Sequence, residues 1–252
     1  MKKKNKKIHA SILIIGNEIL SGRTQDLNVK FITNWLNEEC GISVQEVRII
    51  PDIEKTIIKT VIELSKKYNY LFTTGGIGPT HDDITAKSIS KAFKVKYQFQ
   101  KEAFSILEKY YGKKKFNDGR KKMAKMPSKS LLIQNPASAA PGFVIKNVFC
   151  LPGVPSILQS MMNYTKKFLV KGSKIINKSV NVYTVESNIA SELNLLQKKY
   201  IKHIDIGSYP FFRLGKIGVS IVLRSSNNTK LKSCLRDLML LIKLKKIKTF
   251  KI

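Results

Sequence analysis

The sequence has few cysteines and lacks any long apolar run. Its three cysteines, Cys40, Cys150 and Cys234, are too far apart for a zinc-type spacing or a disulfide framework, so we expect buried free thiols. No apolar run reaches the ~18 residues that a membrane span needs. The apolar run 10–15, which follows the first lysines, is too short for a signal peptide. We therefore expect a cytoplasmic protein with no membrane partner.

Acidic residues are also scarce. The chain of 252 residues has 17 Asp and Glu against 46 Lys and Arg, which gives a formal net charge of +29. Arginine suits base readout and bidentate phosphate contacts, yet it is rare among the basic residues. Lysine is instead spread along the whole chain, which is typical of a compositional bias. The scarcity of arginine and the even spread of lysine therefore argue against a nucleic-acid partner, although the net positive charge favours anionic ligands in general.

Strand and helix patterns alternate through the first part of the chain. This alternation predicts an α/β fold with a mainly parallel sheet. The predicted strands are Ile8–Ile15, Ser43–Ile50 and Tyr70–Thr74, and the predicted helices are Asn28–Cys40, Ile53–Tyr68 and Asp82–Phe93.

The later part of the chain is less regular. The lysine-rich segment 98–125 is predicted to be helical with interruptions at Gly112 and Gly119. Three short apolar pieces at 131–134, 142–145 and 148–151 predict a small antiparallel addition to the sheet. After a linker at 171–178, further strand and helix patterns predict a small α+β domain. We expect residues 1–170 to form the first domain and residues 178–252 the second.

The segment TTGGIGPTHDDIT, Thr73–Thr85, places three glycines at the carboxyl end of the third predicted strand. Ligands of open α/β sheets bind at that edge. Gly75, Gly76 and Gly78 can present bare backbone N–H groups to an anion. Neither a dinucleotide-binding fingerprint nor a P-loop is present. The segment therefore predicts a phosphate-binding loop of another kind.

Acidic residues follow the same predicted strands. Asp82 and Asp83 would cap a helix in the simpler interpretation, because acids stabilise the first turn. Carboxylates beside a phosphate repel it, however, unless a divalent cation lies between them. Asp52 ends the second strand and Asp26 follows the first, so these acids can meet at one sheet edge. The pattern predicts a metal–phosphate site with Asp83, Asp52 and Asp26 as metal ligands.

Other residues near this edge are candidate ligand contacts. Glu18 is either a ligand contact or a solvated loop residue. Ser21 and Gly22 can offer a hydroxyl and a backbone donor to phosphate. Pro152 and Gly153, in a predicted strand-to-helix turn, can bring backbone donors to a second anion, and a purely structural turn is the alternative.

Longer motifs carry a family resemblance. GNEILSGRTQDLN, IIPD and TTGGIGPTHDDIT together resemble the MoaB/Mog molybdopterin-binding fold. RKKMAKMP, NPASAAPGF, LPGVPSIL and GSYP, in this order, are similar to the N-terminal region of the CinA (competence/damage-inducible protein A) family. The resemblance covers about residues 8–241 and implies a three-layer MoaB/Mog-like fold. It also implies that the C-terminal amidase domain of many CinA proteins is missing.

The resemblance implies a function as well. It implies that Asp83 and Asp52, with Asp82, are catalytic acids that work with Mg²⁺ or Co²⁺. The first hypothesis is a metal-dependent pyrophosphatase that cleaves ADP-ribose or FAD. The alternatives are a non-catalytic protein that binds molybdopterin or a nucleotide, and a Mog-type molybdopterin adenylyltransferase. A homo-oligomer is expected, and a separate amidase chain is a candidate partner.

Two positions depart from the family pattern. Asn17 and Ile157 stand where the family usually has acids. The loss of a carboxylate at Asn17 removes one candidate metal ligand. These departures favour ligand binding over hydrolysis, so the alternatives stay open at this point.

Overall fold

The computed structural model describes residues 7–213 and 215–250. The chain divides into two compact units, Met1–Ser173 and Lys174–Ile252. Over the ranges described, no helix combines the length and apolar character that crossing a bilayer requires.

The first unit is built on a six-stranded sheet with the strand order β2-β1-β3-β8-β7-β6. These strands are β1 (Ile8–Ile15), β2 (Ile42–Ile50), β3 (Tyr70–Thr74), β6 (Leu131–Ile133), β7 (Gly142–Ile145) and β8 (Val148–Leu151). A separate ribbon pairs β4 (Tyr97–Phe99) with β5 (Lys125–Pro127). The central pairs β2-β1, β1-β3 and β3-β8 are parallel, and β6 and β7 are antiparallel additions. The expected mainly parallel sheet is confirmed.

The expected antiparallel addition is present, because β7 pairs in antiparallel with both β6 and β8. The sequence analysis did not foresee that β8 also pairs in parallel with β3, with Leu71 opposite Val148. The start of β8 is fixed by Asn147, whose Nδ2 donates to the carbonyl oxygens of Ser65 and Tyr68 at 2.8 and 3.1 Å. This contact places the beginning of β8 beside the beginning of β3, so both strands end at the same edge.

Helices cover both faces of this sheet. They are α1 (Asn17–Leu20), α2 (Asn28–Trp35), α3 (Glu54–Lys67), α4 (Thr85–Ala92), α5 (Lys101–Tyr111), α6 (Asp118–Lys122) and α7 (Pro155–Met161). α2 continues as a π-helical segment, Leu36–Cys40, which ends at Gly41 in the left-handed conformation. The segment 98–125 is interrupted at Gly112, which ends α5 as expected, whereas Gly119 lies inside α6. The short strands β4 and β5 at its two ends were not predicted.

The core of the first unit lies on the two faces of the sheet. Successive residues of β1 alternate between the faces, so Leu13 joins the cluster under α3 and Ile12 joins the cluster under α2. Ile57 and Val61 of α3 are fully buried in the first cluster, and Ile32 of α2 is fully buried in the second. Strands buried on both faces explain the continuous apolar run of β1, and the three-layer fold is confirmed.

The second unit is a small α+β fold, as expected. Its antiparallel sheet has the order β10-β11-β9-β12, and its two longer helices pack on that sheet. The elements are β9 (Ile176–Val182), α8 (Ala190–Tyr200), β10 (Asp205–Arg213), β11 (Lys216–Ser225), α9 (Asn228–Leu244) and β12 (Thr249–Phe250). Leu196, Ile221 and Leu238 lie in its buried core. The first strand begins inside the segment that the sequence predicts as a linker.

Stacked aromatic rings in the first unit allow a stability test. Phe72 is fully buried, and its ring stacks on Phe149 with 4.6 Å between centroids. Phe72→Ala should lower the free energy of unfolding by about 3–5 kcal/mol, because it leaves a cavity. Trp35, the single tryptophan, lies in this unit, so its fluorescence in a guanidinium titration reports the unit directly. The control, Tyr110→Ala at a side chain that is 57% exposed, should cost under about 1 kcal/mol. Equal losses in the two variants would contradict this description of the core.

Candidate functional site

The carboxyl ends of the parallel strands are tied together by backbone hydrogen bonds. The N–H of Gly75, after β3, donates to the carbonyl of Leu151 at 3.1 Å, and the N–H of Gly16, after β1, donates to Ile50 at 3.2 Å. The loops that follow β1, β2, β3 and β8 therefore start from one common edge. The Gly75 N–H was expected to face an anion. That expectation was wrong for this N–H group, because it donates its hydrogen bond to the Leu151 carbonyl.

A cavity of about 520 Å³ lies at this edge. It is lined by Glu18, Thr24, Gly75, Gly76, Ile77, Gly78, Pro79, Asp83, Met123, Asn135, Ser138, Ala140, Pro141, Pro152, Gly153, Val154, Pro155 and Ile157. This set contains two carboxylates, and none of its residues is Lys, Arg or His. Although the chain has a net charge of +29, no basic side chain lies among the described residues that line this cavity.

The glycine loop, residues 75–78, has a backbone conformation that side chains at its glycine positions would disrupt. Gly75 and Gly76 have φ values of +96° and +66°, in the left-handed region that favours glycine. A Cβ on Gly76 would lie 2.2 Å from the hydroxyl oxygen of Thr85. No described residue accepts a hydrogen bond from the N–H groups of Gly76, Ile77 or Gly78. These donors are available to an anion at the cavity wall.

Asp83 is held against the glycine loop by Thr80. Its Oδ2 accepts from the Thr80 N–H at 2.8 Å and lies 2.5 Å from the Thr80 hydroxyl. The same hydroxyl lies 2.6 Å from Oδ1 of Asp82 and can donate to only one of the two carboxylates at a time. A Cβ on Gly78 would lie 2.7 Å from the Asp83 carboxylate. Glycine at position 78 therefore leaves the space that the carboxylate occupies.

The simpler interpretation, in which Asp82 and Asp83 cap a helix, does not hold for α4. α4 begins at Thr85, three residues after Asp82, and its N-cap residue Ile84 makes no side-chain cap. The helix starts there because the Thr85 N–H donates to the carbonyl of Gly76 at 3.0 Å. The Asp83 carboxylate consequently bonds with Thr80 and lines the cavity.

Asp52 lies close enough to the other acids to respond to their charges. Its Oδ2 accepts from the Asn17 N–H at 3.0 Å. Partial burial is the main reason that the pKa of Asp52 is raised above its usual value, and the charges of Glu18, Asp82 and Asp83 raise it further. The Asn17 amide opposes this shift. The pKa of Asp82 is lowered, chiefly by the Thr80 hydroxyl.

Of the other residues that were predicted to contact a ligand, some line the cavity and some do not. Glu18, Pro152 and Gly153 line the cavity, as does Ile157, one of the two departures from the family pattern. Ser21 and Gly22 are not among the lining residues.

Asp26 has a structural role at the start of α2. Its Oδ1 accepts from the Val29 N–H at 2.8 Å, and the residue does not line the cavity. Within the described ranges, no group of three or more His, Cys, Asp or Glu residues is arranged to hold a metal ion. The assignment of Asp83, Asp52 and Asp26 as metal ligands stays a prediction, with the ligand and water left to complete any coordination sphere.

Asn28 is a site residue that the sequence analysis missed. It is buried, and its Nδ2 donates to the carbonyl of Gly153 at 2.7 Å, so α2 holds the turn after β8 at the cavity wall. No described group bonds to its Oδ1. The sequence signal that could have identified Asn28 is its polar amide at the start of α2, in register with the buried residues Ile32 and Trp35.

Asn135 shapes the opposite wall of the cavity. Its Oδ1 accepts from the N–H groups of Ala137 and Ser138 at 3.0 and 3.1 Å, and its Nδ2 donates to the carbonyl of Ala140 at 2.7 Å. These bonds fold the segment into a tight turn in which Ala139 has a φ of +61°. The turn places Ser138 and Ala140 in the cavity lining.

Comparison with known proteins gives two family matches. Residues 11–171 match the family described as "Probable molybdopterin binding domain", and residues 174–251 match "FAD synthase, middle domain". The first match spans most of the first unit and more than half of the chain.

Individual relatives agree with these matches. A protein of Archaeoglobus fulgidus is 33% identical over 199 residues, which cover 79% of this chain and 84% of that protein. The crystal structure of the protein CinA from Thermoplasma acidophilum has a TM-score of 0.60 and 31% identity, covering 64% of this chain and 98% of that chain. A CinA-like protein of Sulfurihydrogenibium sp. is 35% identical over 186 residues, 66% of this chain and 46% of that longer protein.

The glycine loop generates a stability prediction. Gly76→Ala should destabilise the first unit by more than about 2 kcal/mol, because it combines left-handed strain with a steric clash against Thr85. Gly22→Ala is the control, since Gly22 has a similar φ of +71° and nothing within 4 Å of an added Cβ. That control should cost about 1 kcal/mol. Guanidinium titrations measure both, and equal costs would show that the Gly76 contact is unimportant.

The raised pKa of Asp52 generates a pH prediction. The folded state binds this proton more tightly than the unfolded state, so the stabilising effect is present at low pH and is lost as pH rises through the folded pKa. Asp52→Asn keeps an acceptor for the Asn17 N–H and removes the ionised carboxylate. The variant should melt at a higher temperature than the native chain at pH 7, and the difference should close below the usual Asp pKa of 3.8. A lower melting temperature at pH 7 would contradict the crowding of these acids.

Proposed function

The chain belongs to the family of probable molybdopterin-binding domains and is CinA-like, and on that premise we propose that it is a metal-dependent pyrophosphatase. The substrate would be an ADP-containing dinucleotide such as ADP-ribose or FAD. The observation that carries this proposal is the cavity wall, which joins free backbone N–H donors to carboxylates without any cation of its own.

This wall is suited to an anionic ligand that arrives with a divalent cation. The N–H groups of Gly76, Ile77 and Gly78 can donate hydrogen bonds to phosphate oxygens, whereas Asp83 and Glu18 would repel them. A bound cation between the carboxylate and the phosphate removes that repulsion. Mg²⁺ is usually held by one or two protein carboxylates together with substrate phosphates and several waters. The arrangement of Asp83 and Asp52, without a third protein acid, fits this mode of binding.

Asp52 gives a second argument for a cation. Its pKa is raised mainly by burial and further by the charges of three neighbouring carboxylates. These carboxylates therefore repel one another in the folded protein. A divalent cation would relieve this repulsion. Asp83 and Asp52 would hold the cation, directly or through water, and Asp82 and Glu18 would add to the local negative charge.

The reaction is hydrolysis of a phosphoanhydride. The cation would polarise the phosphoryl oxygens. The glycine loop would orient the diphosphate, and the carboxylates would position a water molecule for in-line attack. Water adds to one phosphorus and the bridging P–O bond breaks, so ADP-ribose gives AMP and ribose 5-phosphate, and FAD gives AMP and FMN. With Asp52 holding the cation through a bound water, its carboxylate would be free to accept a proton from the attacking water.

The match of residues 174–251 to the FAD synthase middle domain supports a dinucleotide substrate. The apolar part of the cavity wall supports it too, because Ile77, Met123, Val154 and Ile157 can contact a ring system beside the phosphates.

A second candidate is a protein that binds a molybdopterin-type ligand without turnover. Two observations favour it: Asn17 has no carboxylate to offer a cation, and Ile157 contributes an apolar side chain to the wall. Adenylyl transfer to molybdopterin, as in Mog-type enzymes, is a weaker third candidate for the same cavity.

Incubation of the purified protein with ADP-ribose, FAD or NAD, each with Mg²⁺ or Co²⁺, tests the proposal. Chromatography should detect AMP from the native chain, and Asp83→Asn should lower the rate at least about 100-fold, since metal stabilisation of transition-state charge is worth several kcal/mol. Asp118→Asn is the control, because this side chain is 99% exposed and pairs only with Lys121 among the described residues. Absence of AMP from every substrate with a folded native chain would favour the binding candidate.

A further inference from the structure

The short helix α6 contacts the loop that carries the candidate acids. Lys122, at the end of α6, donates from Nζ to the carbonyl oxygen of Thr80. At Gly119, an added Cβ would lie 3.3 Å from the carbonyl oxygen of Pro79, so the helix backbone approaches the loop closely. Met123, the next residue after α6, lines the cavity. Two adjacent loop carbonyls therefore face this helix.

Thr80 connects this contact to Asp83. Its carbonyl oxygen accepts from Lys122, while its N–H donates to the Asp83 carboxylate at 2.8 Å. Its hydroxyl lies 2.5 Å from the same oxygen. The Thr80 carbonyl also accepts from the Asp83 N–H at 3.3 Å. Lys122 therefore adds a second donor at the oxygen that closes the turn from Thr80 to Asp83, and this turn directs the Thr80 donors at the Asp83 carboxylate. Lys122 thus acts on the carboxylate through one intervening residue.

The charge of Lys122 is also suited to this place. None of the residues that line the cavity is a cation, and Lys122 lies just outside the lining, next to Met123. The Thr80 hydroxyl is the main cause of the lowered pKa of Asp82, and the charges of His81 and Lys122 contribute to the same shift. A cation at this position offsets part of the repulsion among the acids.

We propose that Lys122 is a positioning residue, which ties α6 to the Thr80 peptide and thereby fixes the Asp83 carboxylate at the cavity wall. Its catalytic consequence rests on the proposed function, but the positioning itself does not.

The chain offers a matched control for this proposal. Lys121 is the preceding residue of α6, and its Nζ pairs at 3.2 Å with the exposed Asp118. Lys121→Met and Lys122→Met remove the same charge from the same helix, one residue apart. Lys122→Arg keeps a cationic donor that can reach a carbonyl oxygen, so it should restore the contact.

Amide hydrogen exchange, resolved by NMR, tests the positioning directly. In Lys122→Met, the Thr80 N–H should exchange at least about tenfold faster, the effect expected for losing a hydrogen bond from a charged donor. Lys121→Met and Lys122→Arg should leave this rate near the native value. Native-like Thr80 exchange in Lys122→Met would overturn the proposal. So would an equal increase at all amides of the first unit together with a lower melting temperature, because that indicates a general structural role.

Kinetics add a separate measurement. With ADP-ribose as the substrate in the presence of Mg²⁺, Lys122→Met should lower kcat about 10- to 100-fold, which is the usual effect of removing a group that orients a metal ligand. The variant should also need a higher Mg²⁺ concentration to reach half of its maximal rate. Lys122→Arg should recover most of the rate, and Lys121→Met should be unchanged. A native rate in Lys122→Met would overturn the catalytic consequence. If the native chain releases no AMP, the proposed function fails, and the exchange measurement still decides whether Lys122 positions Asp83.

Discussion

The candidate site depends on one constraint, which is that four carboxylates are held at the same edge of a sheet. Partial burial is the main cause of the raised pKa of Asp52, and the charges of Glu18, Asp82 and Asp83 raise it further. A strongly basic chain has many lysines, yet none lines the cavity beside these acids. Such an arrangement lowers stability in the absence of a ligand, and folded proteins commonly retain costs of this kind at functional sites.

Parallel strand topology is the reason that these acids meet. β1, β2, β3 and β8 are parallel, so the loops that follow them start at the same edge although they are far apart in sequence. Hydrogen bonds from Gly16 and Gly75 to the ends of neighbouring strands fix the starting points of two loops. Packing on both faces supports this edge, and the loops that follow the strands carry the candidate ligand contacts.

Much of the fold and of the site was predictable from the sequence, for physical reasons. The buried run of β1 and the apolar stripe of α3 show clear periodicity, and acids or glycines directly after apolar runs identify the binding edge. The direction of β8 was not predictable, because it depends on the contacts of Asn147 with carbonyls of a distant segment. The predicted start of α4 was wrong, because the Thr85 N–H donates a hydrogen bond to the Gly76 carbonyl and the two aspartates stay outside the helix. Asn28 was missed because its partner, the Gly153 carbonyl, lies 125 residues away.

The central claim is that the cavity binds a phosphate ligand together with a divalent cation. Isothermal titration of ADP-ribose into the native chain, in EDTA and then in millimolar Mg²⁺, tests it most directly, with phosphate-free ribose as the control ligand. The account predicts weak or no binding in EDTA and at least about tenfold tighter binding in Mg²⁺, because the cation removes the repulsion between phosphate and carboxylates. Equal affinity under the two conditions would contradict the metal-bridged site.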